Sequence, residues 1–107
     1  MKSKRSKACE ISTKVKEIVW NRDNHKCICC KKYVPINCAN AHFIKRSQGG
    51  LGIEQNIVTL CPICHYEEDF GLETQRYENY IENYLKSIYG ENWSKEKLIY
   101  SKWRKEK

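Results

Sequence analysis

Two cysteine pairs constrain the fold of this chain more than any other feature. Cys27 and Cys30 form one C-x2-C pair, Cys61 and Cys64 form another, and thirty residues separate the two pairs. Zinc prefers four soft ligands in a tetrahedron, and the C-x2-C spacing directs two thiolates at one point. The two pairs together therefore predict one closed structural Zn2+ site. Because a closed site has no open position for water, this ion is expected to stabilise the fold without taking part in chemistry.

The other cysteines support the same interpretation. Cys29 is the alternative to Cys30 as a zinc ligand, but it ranks second, since a C-x-C spacing presents its sulfurs less readily than C-x2-C does. Cys9 and Cys38 have no partner at a useful spacing and are interpreted as small buried hydrophobic residues or idle thiols. The total of seven is odd, and the basic start MKSKRSK has no apolar segment behind it. We therefore expect reduced, metal-binding thiols and a cytoplasmic protein.

Length and charge restrict the class of protein further. A chain of 107 residues fits one domain, and no apolar run approaches the roughly 18 residues of a membrane span, so no membrane association is expected. The net charge is +7, and the basic excess lies at the two ends while the middle is acidic. This distribution suits a protein that holds a polyanion with its periphery. Residues 1–10 are predicted to be a flexible basic arm, and residues 11–107 a single domain.

Hydrophobic periodicity predicts the elements of that domain. A short helix is expected from a cap at Ser12 or Thr13 to near Asn24. Two strands, at 38–44 and 57–60, are expected on either side of the glycine-rich loop SQGGLG. One amphipathic helix with a tyrosine stripe follows and ends at Gly90. A last short helix is expected to begin at Ser94 and to carry Leu98, Ile99 and Trp103.

The segment between the cysteine pairs also carries a specific motif. It contains AHFIKRSQGGLGIEQNIVTL, with CPICH directly after it. Ala41-His42, Asn56 and Cys64-His65 resemble the HNH motif of the HNH endonuclease family, in the four-cysteine zinc form often carried by phages and prophages. The resemblance covers about residues 15 to 70 and includes Arg22-Asp23. It implies an α+β chain with a small ββα-metal (HNH) domain, its core at 22–70 and flanking C-terminal helices at 72–104.

The activity that the resemblance implies is metal-dependent hydrolysis of DNA phosphodiesters. His42 is the expected general base, since a histidine with an unperturbed pKa of about 6.5 can deprotonate water near neutral pH. His65 is the expected ligand of a catalytic Mg2+, Mn2+ or similar ion, which would stabilise the negative charge of the reaction. Asn56 is expected to orient the base through its amide oxygen, or else to hold the backbone of the loop.

One departure from the family pattern affects the catalytic ion. Many members carry Asp or His directly before the base, where it binds the metal, and this chain has Ala41. Asp69 is the favoured replacement, because it lies four residues after His65 and so on the same helix face. Glu68, three residues after His65, is the next candidate for this metal ligand. For Glu67, a solvated surface position is the preferred interpretation.

DNA is the expected partner, with Arg46 and Lys45 on its phosphates. Arg46 can bind a phosphate in a bidentate manner, and such contacts carry no base information. The resemblance also suggests other phage DNA-processing or packaging proteins as partners. Two alternatives stay open: a noncatalytic zinc-ribbon module that binds DNA or acts as an adaptor, and a protein-interaction module built on the tyrosine-rich helix.

Overall fold

A short antiparallel hairpin lies among four α-helices in the computed structural model, which describes residues 3–101. The helices are α1 (Lys4–Cys9), α2 (Thr13–Arg22), α3 (Pro62–Phe70) and α4 (Thr74–Tyr89). The strands are β1 (Ala41–His42) and β2 (Ile57–Val58), which pair Ala41 with Val58 and His42 with Ile57. Short 3-10 turns follow at Ile36–Cys38, Arg46–Gln48, Gly90–Asn92 and Lys95–Leu98. The predicted α+β class is confirmed.

The hairpin is shorter than the sequence predicts, and local hydrogen bonding explains why. Pro35 precedes a 3-10 turn that takes up Cys38, so the first strand begins later than residue 38. At the other end, the Asn56 side chain bonds the backbone N–H and C=O of Ile44 in place of a partner strand. Antiparallel contacts nevertheless extend past the strands, since Leu60 N–H donates to the Cys38 carbonyl at 3.1 Å.

Helix ends follow the predicted capping residues in two places. The Ser12 hydroxyl accepts from the Val15 N–H at 3.1 Å and so caps α2. Gly90 ends α4 with a φ of 71°, a left-handed conformation that favours glycine. Leu72 is the first apolar residue in the helical spacing of that predicted amphipathic helix, but it lies fully exposed in the break between α3 and α4. Hydrophobic periodicity alone predicts one helix after the hairpin, and the structure has two, α3 and α4.

The N-terminal segment differs from the flexible arm predicted for residues 1–10, of which Met1 and Lys2 lie outside the described residues. Lys4–Cys9 is helical, the Ser3 hydroxyl caps it, and Cys9 is buried. The end of α1 packs against the glycine-rich loop, where Gly52 N–H donates to the Ala8 carbonyl at 3.0 Å. A Cβ at Gly52 would lie 1.9 Å from the Glu10 carbonyl oxygen, so the contact requires glycine. The segment is ordered by tertiary contacts of this kind, which hydrophobic periodicity in the sequence does not reveal.

The core forms around the hairpin and the cysteine cluster. One face of the hairpin packs against α4 and the C-terminal segment, and the buried residues of this cluster include Ala41, Phe43, Val58, Leu60, Ile81, Leu85, Trp93 and Leu98. A smaller cluster of Val19, Ala39 and Ile57 packs α2 against the other face. The two faces of β1 therefore differ: the Ala41 side chain is buried in the larger cluster, while the His42 side chain is half-exposed.

The C-terminal prediction is met in part. Ser94 directly precedes the 3-10 turn Lys95–Leu98, and Leu98 is buried, but the Ser94 side chain makes no capping hydrogen bond. Trp103 and the lysine-rich end lie outside the described residues. Among residues 3–101, no helix is both long enough and apolar enough to cross a membrane.

A buried ion pair joins α2 to the hairpin and α4. Arg22 donates two hydrogen bonds to the carboxylate of Asp23, of 2.8 and 3.1 Å. The same carboxylate accepts the Thr59 N–H at 2.9 Å and the Tyr84 hydroxyl. Arg22 also donates to the Ile57 carbonyl at 2.8 Å. This network fixes the helix that precedes the first cysteine pair to the strand that precedes the second.

We expect Asp23→Ala to destabilise the zinc-loaded protein by about 3 kcal/mol or more, because a buried arginine would lose its counter-charge. Chemical denaturation followed by circular dichroism measures this change. Glu73→Gln is the matched control, since it removes an ion pair to Arg76 between side chains that are mostly exposed. That change should cost less than about 1 kcal/mol. Equal losses in the two variants would contradict the structural role of Asp23.

Candidate active site and metal centre

The four predicted zinc ligands converge in the structure. The sulfur atoms of Cys27, Cys30, Cys61 and Cys64 all lie within 4.8 Å of one another. The Cys30 and Cys61 sulfurs are 3.7 Å apart. A tetrahedral site with Zn–S bonds of about 2.3 Å places its sulfurs about 3.8 Å apart, so the cluster fits a zinc ion. The cysteine cluster predicted from the spacing is confirmed.

Both pairs sit in turns that offer backbone donors to sulfur. Cys61 is the N-cap of α3, and its sulfur accepts the Cys64 N–H at 3.4 Å. The Cys27 sulfur accepts the Cys30 N–H at 3.5 Å, and Lys31 closes that turn with a φ of 66°. N–H donors to sulfur favour the thiolate form, which is the form that binds metal.

Cys29 lies beside the cluster and contacts one of its members. A hydrogen bond with the Cys29 side chain lowers the pKa of Cys27, and the same bond raises the pKa of Cys29. The group of four converging sulfurs includes Cys30 and leaves Cys29 outside it. This arrangement agrees with the prediction that Cys30, and not Cys29, completes the first pair.

A second group of predicted residues lines an open cleft beside the hairpin. The cleft is bordered by side chains from α2, β1, the residues just before these two elements, the loop after β1, and α3. They are Ile11, Lys16, Asn40, His42, Lys45, Arg46, His65 and Asp69. The expected base and the two expected ligands of the catalytic ion therefore share one cavity. His65 and Asp69 both lie on α3, which begins at the cysteine cluster, so this cluster fixes one wall of the cleft.

His42 is held by a backbone carbonyl from α1. Its Nε2 lies 2.8 Å from the Cys9 carbonyl oxygen, which can only accept, so Nε2 carries the hydrogen. The lone pair of the neutral ring is then on Nδ1. Burial lowers the pKa of His42, and the nearby charges of Arg46 and Lys45 act in the same direction, against the opposing effect of the hydrogen bond to the Cys9 carbonyl. The side chain is consequently neutral near pH 7 and can accept a proton.

His65, Glu68 and Asp69 form a second cluster of possible metal ligands on α3. Their ligand atoms lie within 4.8 Å of one another, and His65 Nε2 is 3.5 Å from an Asp69 oxygen. Burial lowers the pKa of His65, against an opposing effect of Asp69. Burial raises the pKa of Glu68 to about 7, although Lys45 opposes the shift. Glu68, the second choice from the sequence, is the buried member of the trio, with 1% exposure.

Asn56 supports the loop between the strands. Its side chain is fully buried, its oxygen accepts the Ile44 N–H at 2.8 Å, and its nitrogen donates to the Leu51 carbonyl at 2.9 Å. Of the two roles expected from the sequence, this geometry agrees with the one in which Asn56 holds the backbone. The Cys9 carbonyl, and not the amide of Asn56, contacts the His42 ring.

The two predicted DNA contacts have different surroundings. Arg46 is exposed on the rim of the cleft and makes long hydrogen bonds, of 3.3 and 3.4 Å, to Ser6 in α1. Lys45 points towards α3, where its ammonium group bonds the carboxylates of Glu68 and Asp69. Whether either residue contacts a phosphate stays a prediction.

The sequence-based prediction lacks several contributors to the cleft, among them the lining residues Ile11 and Asn40. Lys16 on α2 adds a cationic side chain to the cleft. The Cys9 carbonyl holds the His42 ring, and every residue has a carbonyl, so no residue type marks this role. The basic composition of the N-terminal segment gives no sign that Ala8 and Cys9 contact the loop and the His42 ring.

Comparison with protein-family models, with curated protein sequences and with solved structures gives no match. The geometry of the two clusters therefore carries the functional argument.

Cys61→Ser is expected to lose the bound zinc and the cooperative unfolding transition. A domain of this size buries little apolar surface, so metal binding supplies a large part of its folding free energy. Elemental analysis and thermal melts measure both effects. Cys38→Ser changes a half-buried thiol outside the cluster and should retain one zinc per chain. Full zinc occupancy in the Cys61→Ser variant would contradict the assignment.

The lowered pKa of His42 predicts the direction of a pH dependence. In the folded protein the ring takes up a proton at lower pH than in the unfolded chain, so folding stability falls as pH drops below about 6.5. We expect an NMR titration midpoint for His42 below 6.5. We also expect His42→Gln to show a smaller acid-induced loss of stability. A midpoint above 6.5 would contradict the burial of this side chain.

Proposed function

We propose that this chain is a metal-dependent DNA endonuclease of the HNH type, in which β1, β2 and α3 form the ββα-metal unit. The observation that carries the proposal is the shared cleft, where His42, His65 and Asp69 meet beside the cationic side chains Lys16 and Arg46. Phosphodiester hydrolysis requires a proton acceptor, a source of positive charge and contacts to the phosphate. One cavity contains residue types for all three tasks.

His42 is the general base of the proposed reaction. A water oxygen attacks phosphorus, its proton passes to Nδ1 of His42, and the bond from phosphorus to the leaving oxygen breaks. The hydrogen bond from Nε2 to the Cys9 carbonyl fixes the tautomer that leaves Nδ1 free. It also stabilises the ring once it is protonated, since both nitrogens are then donors.

The α3 trio would hold the catalytic ion. Two carboxylates and an imidazole suit Mg2+ or Mn2+, and Mn2+ accepts the nitrogen ligand more readily. When bound, such an ion stabilises the negative charge that develops on the phosphoryl and leaving oxygens. The lowered pKa of His65 keeps its ring neutral near pH 7, as a ligand must be. The closed cysteine cluster supplies rigidity through zinc and has no role in the reaction.

DNA would lie across the cleft with its backbone on the cationic rim. Arg46 and Lys16 border the cavity, and Arg5 of α1 donates to the Ser47 carbonyl in the same loop as Arg46. Contacts from these cationic side chains neutralise phosphates without reading bases. Binding is therefore expected to weaken steeply with salt and to show little sequence preference. Phage DNA-processing or packaging proteins remain expected partners only on the basis of the motif.

A noncatalytic DNA-binding module is the second candidate function, and one observation favours it. Ala41, which stands where many HNH nucleases have a metal ligand, is buried in the hydrophobic core with 1% exposure. Its position cannot contribute a ligand, so the ion would depend on α3 alone. A chain that binds DNA in this way without cutting would retain the zinc cluster and the cationic rim.

Conversion of supercoiled plasmid to nicked or linear DNA separates these two functions. We expect cutting by the zinc-loaded protein with added Mg2+ or Mn2+, and none when the divalent ion is omitted after desalting. Omission is a better control than excess chelator, because a chelator also removes structural zinc. His42→Ala should reduce the cutting rate at least about a hundredfold, the usual contribution of a general base.

His25→Ala is the matched control for this experiment. His25 is exposed, stacks on Trp20 and lies away from the cleft, so its loss should leave cutting unchanged. Equal cutting by His42→Ala and the wild-type protein would refute the role of His42. DNA binding without cutting under any divalent ion would favour the noncatalytic module.

A further inference from the structure

The ammonium group of Lys45 occupies the centre of the acidic cluster on α3. Its Nζ lies 2.6 Å from an oxygen of Asp69 and in closer contact with an oxygen of Glu68. It also lies 3.5 Å from the His42 carbonyl oxygen. The Lys45 and Asp69 side chains are each 28% exposed, whereas that of Glu68 is 1% exposed. Lys45 thus links the loop after β1 to α3. The two carboxylates that it binds belong to the same cluster as His65.

The same oxygens are those a divalent ion would use. His65, Glu68 and Asp69 place their ligand atoms within 4.8 Å of one another. Glu68 adds an independent observation, because its second oxygen, Oε1, is buried and has no hydrogen-bond partner among residues 3–101. A buried acceptor without a partner is costly, and such atoms in folded proteins call for an explanation such as a bound ion. Lysine satisfies one oxygen of Glu68 and leaves the other unused.

Charge also distinguishes the two possible occupants. Two carboxylates facing one ammonium leave the ionised cluster with a net negative charge, while a divalent ion balances both. An ammonium group and a divalent ion cannot bind the same oxygens together, because like charges at contact distance repel strongly in a half-buried site.

We propose that Lys45 and the divalent ion exchange at this cluster: the ion binds His65, Glu68 and Asp69 and displaces the ammonium of Lys45. Glu68 is then the ligand that compensates for Ala41. The displaced lysine is attached to the rim of the cleft beside Arg46, where a phosphate can take the place of the carboxylates as its partner. This last step rests on the proposed nuclease function, whereas the exchange itself does not.

The exchange makes Lys45 a positioning residue with two partners. Without the ion, its ammonium stabilises the carboxylates and holds the loop against α3. With the ion, its charge becomes available to DNA. Ion binding and DNA binding are therefore expected to strengthen each other, because each favours the displaced position of Lys45.

Binding of Mn2+ to zinc-loaded protein, followed by the electron paramagnetic resonance of free Mn2+, tests the exchange without relying on activity. Lys45→Met removes the competing ammonium and should bind Mn2+ at least about tenfold more tightly than wild type. Lys16→Met is the matched control, since it removes a lysine that lines the same cleft, whereas the ion pairs to Glu68 and Asp69 come from Lys45. The Mn2+ affinity of this variant should change by less than about threefold, which is the effect expected from removing one positive charge at a distance.

Glu68→Gln in the Lys45→Met background should reverse the gain in affinity. Zinc content and thermal melts establish that each variant is folded. An affinity for Mn2+ in Lys45→Met equal to or weaker than that of wild type overturns the proposal, and so does the absence of Mn2+ binding in both proteins.

A measurement on the wild-type protein keeps the test independent of variant folding. Acetylation of lysines, read by mass spectrometry, should rise at Lys45 by about threefold or more when saturating Mn2+ is added, as expected when a charge-assisted hydrogen bond is lost. Labelling of Lys16 should stay constant. Unchanged protection of Lys45 at saturating Mn2+ would mean that the lysine remains in place, and would overturn the exchange.

The outcomes separate this proposal from the proposed function. Mn2+-induced release of Lys45 without plasmid cutting would retain the exchange and remove the nuclease. Plasmid cutting that depends on His42, with Lys45 protected throughout, would retain the nuclease and remove the exchange.

Discussion

The convergence of four sulfur atoms on one point organises this small molecule. Cys27 and Cys30 follow α2, while Cys61 and Cys64 begin α3. A metal bound there therefore links the two ends of the thirty-residue segment between the pairs. The buried Arg22 and Asp23 pair fixes the same junction from the other side by binding the backbone at Ile57 and Thr59. The hairpin and the start of α3 therefore hold fixed positions, and the cleft between them follows from that closure.

The cleft depends on two further contacts that hold the loop. Asn56 replaces strand pairing at Ile44 with side-chain hydrogen bonds, which end the hairpin and turn the loop towards α1. The C-terminal end of α1 then meets Gly52 and contributes the carbonyl that holds the His42 ring. In the proposed nuclease, the orientation of the base thus depends on a segment outside the motif.

The sequence predicts those parts of the fold and site that residue type determines. Cysteine spacing identifies the metal cluster, Ser12 and Gly90 mark helix ends by their capping chemistry, and the motif places His42 and His65 in one cavity. It does not predict contacts made through the backbone or between distant segments. The helical α1 and its carbonyl at Cys9 are of this kind, as is the bridge from Lys45 to Glu68 and Asp69. Helix spacing alone favours Asp69 over Glu68 as a metal ligand, since spacing does not report burial.

Paramagnetic broadening of the histidine side-chain NMR signals by Mn2+ tests the central claim most directly, because the chain contains three histidines. If one ion binds on α3 in a cleft shared with His42, sub-stoichiometric Mn2+ added to zinc-loaded protein should broaden His65 most, His42 next, and leave His25 sharp. Equal broadening of all three signals, or sharp signals for both His42 and His65 at saturating Mn2+, would contradict the account.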